Sequence, residues 1–373
     1  MKKSFSKIIN RSNGAFKLIG NNRNHPIRTF SSSCKREGTA SSVTNVAFVG
    51  LGAMGYGMAA NLHRSRTPDE TVHVWNRTVS VAKDHQQKIG TRATLSLDRL
   101  NSCSIIFLCL PTSVEVEEVC SKLGPSLCPG TIIADCTSGD PHETRKIAVQ
   151  LENQHGVHMV DCPVSGGPAG ATSGELTSIV GGPRVAVDAV IPYLSRMAKK
   201  KIVPVGPVGA GHAVKAVNNT LNSAHLLLAA EGLIALAEFG IAPDVAVEAI
   251  NGSSGRSLQT EVRIPKEVLT REFNYGFPLV LMHKDVSTAV DSVCRGFQAT
   301  NKVQVPRFFP IVKDLIERAI DLETEGADYT RVVRPLEAAA GIQLHNSKLC
   351  SCPTTNTALP VLEQYTPPPY TPS

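Results

Sequence analysis

The spacing of apolar and polar positions changes character near residue 206. Before it, short unbroken apolar runs alternate with mixed segments. Residues 45–49, 71–75, 104–110, 131–135 and 157–160 read as strands buried on both faces, as in a parallel sheet covered by helices. After it the apolar positions recur at helical spacing, over 242–250, 281–292, 309–322 and 329–340. Pro335 moves the start of the last of these to about its own position. Between the two patterns lies the longest segment, 213–239, whose only charged residues are Lys215, Glu231 and Glu238. It predicts a helix of about 40 Å, long enough to cross a domain boundary. It is apolar almost all round, so it is expected to be buried on every side, with Gly240 at its C-terminal end. The fold class that follows is an α/β Rossmann-type N-terminal domain (43–206) and an all-α C-terminal domain (207–343), joined by a long interdomain helix.

Glycine adds chemistry to this pattern. Gly50-Leu51-Gly52-Ala53-Met54-Gly55 follows the first strand and opens a helix, the context in which GxGxxG marks a dinucleotide site. The first glycine makes the turn, the second lets backbone approach a phosphate, and the third lets helix and strand pack closely. The second strand ends in Asn76-Arg77-Thr78, where an NAD site places an acid for the ribose hydroxyls. An amide, a guanidinium and a hydroxyl suit a 2′-phosphate instead, so NADP(H) is favoured over NAD(H), against the reading of Arg77 as a solvated residue after a strand. Leu110, Pro111 and Ser138 follow later strands and fall at the same cofactor edge.

Residues 161–176 hold four glycines, Gly166, Gly167, Gly170 and Gly174, and two prolines. Successive backbone amides beside Ser165 would make a nest for a carboxylate; the alternative is a flexible surface loop. Lys215 and Asn219 lie one turn apart on one face of the long helix. A lysine there must pair with an acid, snorkel to water, or act as a proton donor with a lowered pKa.

Composition restrains the picture. Hydrophobic residues make up 42% and charged ones 19% of 373 residues, as in an ordinary two-domain globular chain. The net charge of +6 is carried by the N-terminus: residues 1–30 hold seven basic side chains and no acidic one. Without those seven, the 38 Lys and Arg fall to near parity with the 32 Asp and Glu, which gives no argument for nucleic acid. Residues 1–30 read as a mitochondrial transit peptide cleaved after Phe30, with 31–42 a linker, a plastid being the lesser alternative. Ten cysteines fall at no metal or disulfide-framework spacing, so no metal is expected. No run of 18 apolar residues is present, and no membrane partner is expected. The tail, 344–373, is polar and proline-rich, the composition of a disordered segment.

Four stretches in this order resemble the β-hydroxyacid dehydrogenases, the 3-hydroxyisobutyrate dehydrogenase family: the glycine fingerprint, Asp161-Cys162-Pro163-Val164-Ser165-Gly166-Gly167, Gly211-x-x-x-Lys215-x-x-Asn218-Asn219, and Leu281-Met282-His283-Lys284-Asp285. The match spans roughly residues 45–341. The resemblance implies an oxidoreductase of valine catabolism moving a hydride between NAD(P) and a small β-hydroxyacid or semialdehyde. It implies that Lys215 is the general acid/base, with Asn219 holding substrate near it. Ser165, Gly166 and Gly167 then anchor the substrate carboxylate, and Lys284 and Asp285 lie against the cofactor. A homo-oligomer, dimer or tetramer, is expected. Asn218-Asn219 stands where decarboxylating sugar-acid relatives carry His-Asn, which disfavours that chemistry. The Asn76-Arg77-Thr78 form is closer to the NADPH-dependent glyoxylate/succinic semialdehyde reductase branch. A non-catalytic nucleotide-binding or scaffold module is the alternative of another class, and it would be expected to lack the lysine.

Overall fold

The computed structural model describes residues 44–294 and 308–347. The expected transit peptide, the linker and most of the C-terminal tail lie outside them. The first half is built from β1 (Thr44–Val49), α1 (Gly55–Arg64), β2 (Glu70–Trp75), α2 (Val79–Ile89), β3 (Arg92–Ala93), β4 (Ile105–Leu108), α3 (Ser113–Leu123), β5 (Ile132–Asp135), α4 (Pro141–His155) and β6 (His158–Asp161). It continues with β7 (Val164–Ser165), α5 (Gly167–Ser173), β8 (Thr177–Gly181), α6 (Arg184–Met197) and β9 (Lys201–Gly206). Strands β1 to β6 are parallel in the order 3-2-1-4-5-6, the doubly wound arrangement, with its switch point between β1 and β4. β8 joins β6 and β7 antiparallel, and β9 then runs parallel to β8. Phe48, Phe107, Met58 and Leu62 are wholly buried between the sheet and its helices.

The second half begins with α7 (Ala210–Glu238), 29 residues long, followed by α8 (Pro243–Asn251), α9 (Leu279–Ser287), and helices Phe308–Leu322 and Arg334–Ala340. Its core gathers Leu226, Leu233, Ile264, Val286, Ile316 and Tyr329. Gly240, at φ +94°, turns the chain out of α7 in the left-handed region that glycine enters without strain.

Several expectations need correction. The long helix is not buried on every side. Val214, Leu221 and Leu228, spaced by seven, are exposed, Leu228 to 70%, with Phe239 at 84% just beyond the helix end. Sequence counts apolar residues, but the neighbouring helices of one chain cover only one side of α7. By length and hydropathy α7 could also cross a bilayer, a possibility that the search for an unbroken apolar run missed. Leu226, Leu227, Ala230 and Leu233 are buried in the helical core, which makes it a core helix. The glycine-rich loop after β6 is not a flexible excursion. It forms β7 and α5, and Asn61 Nδ2 on α1 donates to the carbonyls of Ala171 and Thr172 at 2.8 and 3.1 Å. A π-helix over Gln259–Val268, with Leu269 N–H reaching back to Ile264 C=O, was not foreseen; Pro265 inside it masks the helical signal. The segment expected at 329–340 divides into a 3₁₀ turn, Tyr329–Val333, and the helix that Pro335 opens.

Candidate active site

The C-terminal ends of β1, β2, β4 and β5 open onto a cavity of about 880 Å³. Its far wall comes from α7, α9 and the chain before α9, so the cavity lies between the sheet half and the helical half.

The glycine turn forms one end. Gly50 has φ +94°, and a Cβ on it would lie 2.3 Å from the Cys109 carbonyl oxygen. A Cβ on Gly55 would lie 2.0 Å from the Gly50 carbonyl oxygen, which fixes how tightly α1 springs from the turn. Gly52 is different: a Cβ there would meet nothing within 4 Å. Space stands over it, on the cavity side. Ala53 and Met54 line the same wall, and no side chain caps the first turn of α1 and no acid sits in it. A helix N-terminus with open amides, behind a glycine that leaves room above its backbone, fits a pyrophosphate. Leu51 does not line the cavity. Its N–H donates to Asn76 Oδ1 at 2.9 Å, and Asn76 Nδ2 donates to the Thr78 carbonyl at 3.1 Å. The Asn76 amide therefore braces the glycine turn. Arg77 and Thr78 are exposed at the cavity rim. Glu115 stands near Arg77, its carboxyl held below the usual range chiefly by the Thr112 hydroxyl and in smaller part by that guanidinium.

At the other end, Ser165, Gly166 and Gly167 line the cavity. The Ser165 hydroxyl has no hydrogen-bond partner among the described residues. Lys215, half-buried on α7, lines the same cavity. Lys215 makes no hydrogen bond or ion pair among the described residues. Loss of hydration pushes its pKa down; the Asp285 carboxylate opposes that, and the Lys284 ammonium adds to it. Asn219, one turn on, is buried, with its Nδ2 donating to Asp285 Oδ2 at 2.6 Å and its Oδ1 accepting from Asn218 Nδ2 at 3.1 Å. Its second amide hydrogen remains to face a ligand.

Asp285 is the hub of this wall. Besides Asn219 it accepts from Ser138 Oγ at 3.3 Å and pairs with Lys284 Nζ at 3.1 Å. Lys284 also donates to the carbonyls of Ser138 and of Pro111, the latter at 3.4 Å, and so ties α9 to the ends of two loops of the sheet half. Leu110 lines the cavity beside Pro111, its N–H held by Thr137 Oγ1 at 3.1 Å.

Some contributors were not apparent from sequence. Asp161, the last residue of β6, is fully buried and accepts from the N–H groups of Gly209 and His212 at 2.7 and 2.9 Å. It fixes the start of α7, and through it the height of Lys215; burial pushes its own carboxyl pKa up. An acid closing an apolar strand was the available signal. Tyr275 and Asn222 line the cavity too, and nothing in their local pattern sets them apart.

Two family profiles match the chain. Residues 45–206 match the NAD binding domain of 6-phosphogluconate dehydrogenase, and residues 209–336 match the NAD-binding domain of NADP-dependent 3-hydroxyisobutyrate dehydrogenase. The 2-(hydroxymethyl)glutarate dehydrogenase of Eubacterium barkeri is 37% identical over 256 residues, which is 67% of this chain and 83% of that protein. A Dictyostelium discoideum protein named "Probable 3-hydroxyisobutyrate dehydrogenase, mitochondrial" is 31% identical over 263 residues, 68% of this chain and 80% of that one. Among solved structures, the 3-hydroxyisobutyrate dehydrogenase of Mycobacterium tuberculosis with L-serine superposes with a TM-score of 0.71 at 24% identity. It spans 79% of this chain and 99% of its own, a likeness of fold.

Proposed function

The chain belongs to the 3-hydroxyisobutyrate dehydrogenase family and is an NAD(P)-dependent hydroxyacid dehydrogenase; from that premise we propose that it interconverts a small β-hydroxyacid and its semialdehyde, with Lys215 as general acid/base. The observation that carries this is the unpaired Lys215 ammonium, depressed in pKa, on a cavity with the glycine turn at one end and Ser165 at the other. When bound, NAD(P) would supply the hydride acceptor for the carbinol carbon, or the hydride donor to the carbonyl. Lys215, neutral, accepts the hydroxyl proton in oxidation; as lysinium it donates that proton in reduction. Ser165 and the Gly166 and Gly167 amides hold the carboxylate, and Asn219 offers its free amide hydrogen to the substrate oxygen while Asp285 keeps it in place. A panel of small hydroxyacids and semialdehydes assayed with both cofactors tests this. Substrates converted equally well as acid and as methyl ester would overturn the carboxylate anchor.

The preferred cofactor in this reading is NADP(H), supported by Arg77 and Thr78 at the rim and by an Asn76 that carries no charge to repel a 2′-phosphate. That favours reduction of a semialdehyde or glyoxylate as the second reading of the same site. The protein is proposed to act in the mitochondrial matrix. The basic N-terminus supports this, and residues 1–33 fused to a fluorescent reporter should carry it there; a diffuse cytosolic signal would overturn it. Self-association, as dimer or tetramer, is supported by the exposed, charge-free stripe Val214, Leu221 and Leu228, whose spacing of seven suits a second copy of α7.

A further inference from the structure

Tyr275 stands in the cavity opposite the glycine loop and belongs to none of the motifs that mark the site. Its hydroxyl oxygen is so near Gly167 that a Cβ there would approach it to 2.4 Å. That hydroxyl makes no hydrogen bond among the described residues. Its ring is firmly placed: the Arg263 guanidinium lies 3.6 Å from the ring centroid, and the buried Tyr329 meets it edge-on at 5.6 Å. The backbone just after it is pinned, with Gly276 and Phe277 N–H donating to Asp328 Oδ2 at 2.8 and 3.0 Å. A firmly placed ring therefore carries an O–H without a partner among the described residues into the cavity, next to Gly167 and from the opposite half of the molecule.

We propose that Tyr275 is a substrate-positioning and specificity-determining residue, whose hydroxyl donates to the acid carboxylate held at Ser165, Gly166 and Gly167 and whose ring closes that end of the cavity. The inference rests on the reading of the glycine loop as the carboxylate anchor. The carboxylate then takes donors from both halves, and the ring leaves no room for an acid extended beyond that carboxylate. Two groups otherwise unrelated in sequence set the length of acid accepted.

Steady-state kinetics of Tyr275→Phe, Tyr275→Ala and Ser165→Ala on the best acid of the panel test it. Tyr275→Phe keeps the ring packing and should raise KM about tenfold, the weight of a hydrogen bond to a charged group, with kcat within about twofold. The same substitution should leave KM for the corresponding amide nearly unchanged. Tyr275→Ala should improve kcat/KM for acids one or two methylenes longer relative to the short one. An unchanged KM in Tyr275→Phe, with Ser165→Ala raising it, overturns this inference alone. Unchanged KM in both variants overturns it together with the anchor itself.

Discussion

Two lysines face the same cavity from different helices, and they are treated oppositely. On α9, Lys284 is surrounded by acceptors: two carbonyls of the sheet half and the Asp285 carboxylate. On α7, Lys215 has none among the described residues, and its pKa is depressed by loss of hydration. A cation whose donors are all engaged holds structure together; one left without partners in a cavity is available to exchange a proton. Residue type and location are alike at the two positions; the surrounding acceptors are what differ.

The sharpest way to break the contrast is to remove each cation in turn. Lys215→Ala should cut turnover by about 10² to 10⁴-fold while cofactor still binds, read by stopped-assay kcat and by cofactor fluorescence titration. A near-full rate would make Lys215 structural. A third cation extends the comparison. Arg77 is exposed at the rim, so its value lies only in what it binds. NADP(H) should be preferred by about ten- to a hundredfold, and Arg77→Ala should erase the preference while NAD(H) affinity stays put. Tighter binding of NAD(H) by the unaltered protein would count Arg77 as solvated. Lys284→Met should cost less, about tenfold in kcat/KM, because the loops it ties keep their other bonds.

The smallest effects are shifts in pH dependence, and their signs differ. Oxidation needs neutral Lys215, so its rate should rise with pH and level off above a pKa lying below that of a free lysine; reduction should fall through the same pKa. Lys284 depresses that pKa, so Lys284→Met should move the rise to higher pH. Asp285 supports the lysinium, so Asp285→Asn should move it to lower pH. Shifts of the same sign in both variants would mean that Lys215 is not the titrating group.

The sheet half was legible because its chemistry is local. Parallel strands buried on both faces leave unbroken apolar runs such as Ile105–Leu108, and a phosphate turn needs glycines at fixed spacing. β9 was missed because it is partly exposed and carries Pro204. Lys215 and Asn219 were readable as neighbours on one helical face. The pairing of Asn219 with Asp285, the brace from Asn76 to Leu51, the cap that Asp161 gives α7, and the approach of Tyr275 to Gly167 all join distant residues. No spacing along the chain encodes them. The burial expected of α7 failed for the same reason, since apolar composition does not say which neighbours arrive to cover it. Leu228→Lys should leave activity in dilute solution intact yet reduce the mass seen by light scattering, if a second copy lies there.

Helix α1 joins the glycine turn to α5, the helix that follows Ser165 and Gly166. Its first turn stands behind the open backbone of Gly52, while Gly57 admits the carbonyl of Ala171 so closely that a Cβ would stand 2.8 Å from it, and Asn61 holds the same end of α5. A dinucleotide that settled α1 by occupying its N-terminus would also settle α5, which follows directly on the proposed carboxylate anchor. Any coupling carried this way would be reciprocal: the factor by which bound dinucleotide tightened the acid would be the factor by which bound acid tightened the dinucleotide. A bulkier residue at position 57, which would meet the Ala171 backbone, should then loosen both partners at once, read by titrating each ligand in the presence and absence of the other.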